Sequence, residues 1–119
     1  MAHSRIRSGN TRGGFLHPEL DYDGSSVVVA GDQIFMVGCT GLTLDDNTFV
    51  GEGDPVAQAH QALKNVTVLL EEAGSKIEDI CMINVYTTDE SYSELVYPVI
   101  ATYLNGVIPT NTSITVKSL

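Results

Sequence analysis

The sequence predicts an α+β domain: a mixed sheet of four strands with two helices on one of its faces. Three observations predict it. There are short apolar runs of strand length, two segments whose apolar residues recur at helical spacing, and an order in which helices alternate with the later strands. At 119 residues the chain is one domain, able to bury about two thirds of its unfolded surface.

Residues 1–22 are expected to form a mobile N-terminal arm ahead of a single domain at 23–119. The arm carries Arg5, Arg7 and Arg12 and has no apolar stretch of the kind a secretion signal needs. "SSVVVAGDQIFMVG" then reads as two strands joined by a tight turn at Gly31-Asp32. Neither strand alternates. Val27 to Ala30 and Ile34 to Val37 are apolar throughout, so both faces of this hairpin call for cover. Cys39 to Gly53 is a polar, glycine-containing loop with a short strand expected at Phe49-Val50.

Asp54-Pro55 opens the first helix, with Asp54 as N-cap and Pro55 at the first helical position. Val56, Ala59, Leu63, Val66, Leu70 and Ala73 fall on one face, and Gly74 stops the run. Gln58, Gln61, Asn65 and Glu72 fall on the opposite, solvent-facing side, and His60 stands at the edge of the apolar stripe. "DICMINVYTTD" is a strand, with Cys81, Ile83 and Val85 on one face and Met82, Asn84 and Tyr86 on the other. Ser91 to Glu94 has the form of a capping box and starts a second helix, with Tyr92, Leu95, Val96, Val99 and Tyr103 on its apolar face. Pro98 inside it removes one backbone hydrogen bond, and Asn105-Gly106 ends it. Pro109 to Ser113 reads as a polar turn, and Thr112 to Leu119 as the last strand. Two helices leave one face of this sheet bare, so the patterning alone implies a homo-oligomer.

Composition removes several function classes. The net charge is -9, and after Arg12 only Lys64, Lys76 and Lys117 are basic. A nucleic-acid binder needs a positive surface to neutralise phosphates, so RNA and DNA are not expected partners. No apolar run approaches the roughly 18 to 20 residues of a membrane helix, and no membrane partner is expected. Cys39 and Cys81 lie in apolar stretches without a paired spacing and read as reduced core thiols of a cytoplasmic protein. His3, His17 and His60 are scattered, so no metal site is expected.

Gly53 to Asp89, "GDPVAQAHQALKNVTVLLEEAGSKIEDICMINVYTTD", resembles the signature of the YjgF/YER057c/UK114 family, also called the Rid family. The matching pieces include Gly53-Asp54, Gln58, Gln61-Ala62-Leu63, Asn65-Val66, Leu69-Leu70, Ala73-Gly74, Asp79-Ile80 and Val85-Tyr86 with Thr88-Asp89. The similarity extends forward through Tyr103-Leu104 and Pro109 and back through Gly31 and Gly38, from about Val27 to the end. The resemblance implies a chorismate-mutase-like α+β fold assembled as a homotrimer around a central barrel, with ligand clefts between subunits. It implies hydrolysis of enamines or imines formed from amino acids, releasing ammonia and a carbonyl compound, without metal or organic cofactor.

That chemistry uses an arginine as a bidentate clamp on the substrate carboxylate and an ordered water that attacks the imine carbon. In the deaminases the segment after the second helix reads Pro-x-Arg, often followed by Ser-Cys. Here Pro109 is followed by Asn111 where the arginine would stand, and Ser113 stands where the cysteine would be. Ile108 fills the position where other branches carry an arginine. The tyrosine usually found before the first strand has no counterpart around Gly24 to Ser26, and the acidic residue of the family's last strand has none up to Leu119.

The candidate substrate-binding residues at such a cleft are therefore neutral: Gly38, Cys39, Thr40, Tyr97, Asn111, Thr112 and Ser113, with no catalytic residue assigned. Pro109 to Ser113 reads equally as a ligand site and as a turn whose hydroxyls satisfy its own backbone. The expected function is a Rid-like hydrolase acting on an imine or enamine metabolite. The alternative is a non-catalytic trimer of the same fold that binds a small molecule or another protein.

Overall fold

The computed structural model describes residues 3–7 and 24–119. The elements in order are β1 (Ser4–Ile6), β2 (Val27–Ala30), β3 (Gln33–Met36), α1 (Pro55–Glu72), β4 (Met82–Thr87), α2 (Ser93–Tyr103) and β5 (Thr110–Thr115). The expected alternation of strands and helices is present, but the strands do not form one sheet. β1, β2 and β3 make an antiparallel three-stranded sheet, while β4 and β5 pair in parallel as a separate two-stranded one.

β1 lies within the stretch expected to be a mobile arm. Ser4 pairs with Val29, Arg5 with Val28 and Ile6 with Val27, and the Arg7 side chain donates through Nε to the Gly24 carbonyl at 3.1 Å. The rest of that expected arm lies outside the described residues. β2 and β3 form the expected hairpin, with Ala30 opposite Gln33 and Gly31 supplying a φ of 63° at the turn. Val27 is fully buried, whereas Phe35 on the other face is 58% exposed. The short strand expected at Phe49-Val50 is only a single bridge between Leu42 and Phe49.

α1 starts as its sequence dictates. Asp54 is in extended backbone, and its carboxylate accepts from the amides of Val56 and Ala57 at 3.1 and 3.2 Å. Its end is closed by Gly74 at φ 80° and by Ser75 donating to the Leu70 carbonyl at 2.8 Å. The buried face is turned relative to the expected one. Asn65, Leu69 and Leu70 are the buried positions, and Asn65, expected to face solvent, is 4% exposed. The reason is a second cover. The loop after β3 lies along the Gln58 and Asn65 flank and accepts their side-chain amide protons.

α2 packs against α1 and continues through Pro98 to Tyr103. Its core positions are Val96 and Val99, while Leu95, expected on the apolar face, is exposed. The capping box does not form. Asp89 instead accepts from the Ser91 amide and hydroxyl, holding a 3-10 turn over Glu90–Tyr92 ahead of the helix. The Ser91 hydroxyl, spent on Asp89, is not the helix cap.

β5 begins and ends earlier than expected. Thr110 to Ser113, read as a turn, is strand, because the β4 backbone claims it. The Thr110 amide donates to the Cys81 carbonyl at 2.9 Å, and the Val116 amide closes the ladder on Thr87 at 2.8 Å. On β4, Ile83, Val85 and Thr87 are turned inward and Met82, Asn84 and Tyr86 outward. Cys81 is exposed rather than a core thiol, and Cys39 is half-buried. Among the described residues no helix is long and apolar enough to cross a membrane.

Candidate functional site

The parallel register decides what β5 presents to α2. Asn111 lies opposite Ile83 and Ser113 opposite Val85, so both stand on the α2 side of the sheet, although every β5 residue is exposed. Thr112 lies opposite Asn84 and faces outward. Two residues along a strand span about 6.6 Å, close to the ~6 Å rise of four residues along a helix. Residues at i and i+4 of α2 can therefore meet residues at i and i+2 of β5, and they do. The Tyr97 hydroxyl accepts from Asn111 Nδ2 at 2.8 Å and donates to Asn111 Oδ1 at 3.0 Å. One turn earlier on the helix, the hydroxyls of Ser93 and Ser113 are 3.5 Å apart.

Beside this cluster, at the C-terminal end of α2, is an open depression of about 440 Å³. Tyr97 and Asn111 form its polar edge, with Ile83, Ile100, Leu104 and Ile108 among the apolar residues that line it. None of the described residues that line it is charged. Ile108 has a φ of 55° and is 89% exposed. A β-branched residue in left-handed backbone is a conformational outlier.

The other predicted residues lie elsewhere. Gly38, Cys39 and Thr40 follow β3 and are tied to α1, since Asn65 Nδ2 donates to the carbonyls of Leu42 at 2.7 Å and Thr40 at 3.4 Å. The same row of α1 holds the loop at one further point, where Gln58 Nε2 donates to the Gly51 carbonyl at 2.8 Å, while Gln61 Nε2 donates along the helix to Asn65 Oδ1 at 2.8 Å. Gly51 allows that closeness, because with its φ of 79° a Cβ there would lie 2.6 Å from that of Ala57. The Cys39 thiol points at the Val37 carbonyl 3.6 Å away, and burial pushes its pKa up to about 11. It is protonated at neutral pH and is not an activated nucleophile. Among the described residues no hydrogen bond joins this loop to Asn111 or Tyr97.

Thus Tyr97, Asn111 and Ser113 come together, Thr112 faces away from them, and Gly38 to Thr40 form a separate group. Ser93 and Ile108 were missed as members. The signal for Ser93 was its place four residues before Tyr97, matching the two-residue spacing of Asn111 and Ser113. No three His, Cys, Asp or Glu residues among those described are grouped to hold a metal ion.

The family model for Endoribonuclease L-PSP matches residues 17–119. The chain belongs to this family, which includes the YjgF/YER057c/UK114 or Rid proteins. Among solved structures, this L-PSP family chain is similar to YyfA of Yersinia pestis, a Rid protein, at 25% identity and a TM-score of 0.82, over 99% of this chain and 89% of that one. Yeast Mmf1 is 26% identical with a TM-score of 0.76, covering 81% of this chain and 75% of that one. A YjgF/YER057c/UK114 protein of Mycobacterium tuberculosis shares the fold at 24% identity and a TM-score of 0.78, over 99% and 87% of the two chains.

Proposed function

We propose that the protein is a Rid-type hydrolase that deaminates an enamine or imine to a carbonyl compound and ammonia, on a substrate not held through a carboxylate. Water adds to the C=N carbon, the C–N bond then breaks, and nitrogen leaves as ammonia while the water oxygen remains as the carbonyl. The observation that carries the reading is the Tyr97–Asn111 pair at the edge of the depression, which offers neutral donors and acceptors where a carboxylate clamp would need a cation. The hydroxyls of Tyr97, Ser93 and Ser113 can orient the attacking water and receive its hydrogen bonds.

We also propose a homotrimer that closes the outward sheet faces into a barrel. Its support is that Phe35 and Met82 lie 58% and 65% exposed on those faces. The net charge of -9 does not favour a phosphate backbone as substrate, although family members carry an endoribonuclease label. A non-catalytic binding trimer is the second reading. What favours it is that the cluster holds only hydroxyls and an amide, while the Cys39 thiol is kept protonated.

The test is ammonia release from two freshly generated imine pools. Amine oxidase supplies imines without a carboxylate, and an amino-acid oxidase supplies 2-imino acids. The expected result is that wild-type protein accelerates ammonia release from the first pool, and Asn111→Arg shifts activity to the second. No acceleration of either pool by an assembled wild-type protein leaves the binding trimer.

A further inference from the structure

We propose that the depression beside α2 takes a neutral ligand with an apolar body and an amide-type edge, a hydrogen-bond donor and acceptor side by side, and that Ile108 selects the apolar body. This names the class of molecule for the site of the proposed hydrolysis, and it rests on that reading only for the site's location.

Three observations converge. On a chain of net charge -9, none of the described residues lining the depression is charged, so this lining offers an ion no partner of opposite sign. Asn111 has donors and an acceptor on one planar amide, and it turns one N–H and one carbonyl lone pair to the single Tyr97 hydroxyl, at 2.8 and 3.0 Å. Two bonds from adjacent atoms of one amide to one oxygen are each bent away from the preferred geometry. A lactam or imide edge presents a complementary acceptor and donor at the spacing of the amide itself and pairs with both in line. Finally, Ile108 holds an apolar β-branched side chain 89% exposed on a backbone of φ 55°, a conformation a packed core would not select. Strained positions of this kind collect where a ligand is met. An apolar body in the depression would cover Ile108 together with the half-buried Ile100, against the already buried Leu104.

The test follows the full-length protein by NMR as it is titrated with 2-pyridone, a planar lactam. N-methyl-2-pyridone, without the donor, and benzoate, with a charge, are the comparison probes. Saturable shifts are expected at the Asn111 side-chain amide and the Ile100 and Ile108 methyls with 2-pyridone. Binding should be about tenfold weaker for the N-methyl compound and lost for benzoate. Ile108→Asn suits left-handed backbone and keeps the fold, and should weaken 2-pyridone about tenfold. Benzoate binding as tightly as 2-pyridone would overturn the proposal, as would an unmoved Asn111 amide at saturating probe in a folded spectrum. So would an Ile108→Asn variant that changes the assembled mass in sedimentation equilibrium yet binds 2-pyridone unchanged, since Ile108 would then serve contact between copies. No turnover enters the readout, so a failure here is distinct from a failure of hydrolysis.

Discussion

Asn65 carries more of the local structure than its chemistry suggests. It is buried on α1 and donates to two loop carbonyls, so Asn65→Ala leaves acceptors unmet out of water and should cost about 1–3 kcal/mol in a denaturant melt. A helical wheel sorts residues only by apolarity and therefore turned this amide toward solvent. The loop that needs its protons has no periodicity to announce itself. Asp46 acts in that loop in a related way. Hydrogen bonds from the Thr43 and Thr48 side chains and the Thr48 amide hold its pKa down to about 2, from an ordinary 3.8. A carboxyl depressed on folding contributes its stability above the ordinary value and loses it as pH falls toward the folded one. The Thr48 amide resonance should therefore titrate between about pH 4 and 2, with the loop intact above that window. At the thiols, Cys39 should resist alkylation at neutral pH and gain reactivity only as pH approaches 11, while exposed Cys81 is modified first, as peptide mass mapping would show.

Among the elements, the first helix was the most legible, because an acidic cap, a proline at the first position and a closing glycine each satisfy a specific need of the helix ends. Its packing was less so. Leu69, one turn beyond Asn65, is fully buried between the apolar stripe and the loop-covered flank, and Leu69→Ala should destabilise the protein by about 2–5 kcal/mol. β1 escaped notice because three residues within a basic stretch carry no alternation, and its pairing with β2 is a tertiary fact. β5 was displaced for a similar reason. Side chains of Thr110 to Ser113 favour turns, yet the carbonyls and amides of β4 needed a parallel partner, and that demand prevailed over local propensity. The candidate site inherited this. Asn111 and Ser113 were legible as polar ligand groups, but their alignment with Tyr97 and Ser93 depends on the strand register.

For the molecule as a whole, the patterning argued correctly that apolar sheet faces would lie uncovered by this chain's own helices, as Phe35 and Met82 do. If copies of the chain cover those faces, Met82→Lys should lower the assembled mass in sedimentation equilibrium while circular dichroism stays that of a folded chain. The two separate sheets have another consequence. Every ladder among the described residues pairs strands within 4–36 or within 82–115, and none links the two stretches. Each stretch closes its own backbone bonds at modest sequence separation, while α1, outside both, packs against α2 of the second in a helix seam. Such a chain has two local nuclei to choose from. Refolding should be fast and should slow most when either ladder is weakened, whereas loosening the seam should chiefly hasten unfolding, a division that a chevron analysis would read directly.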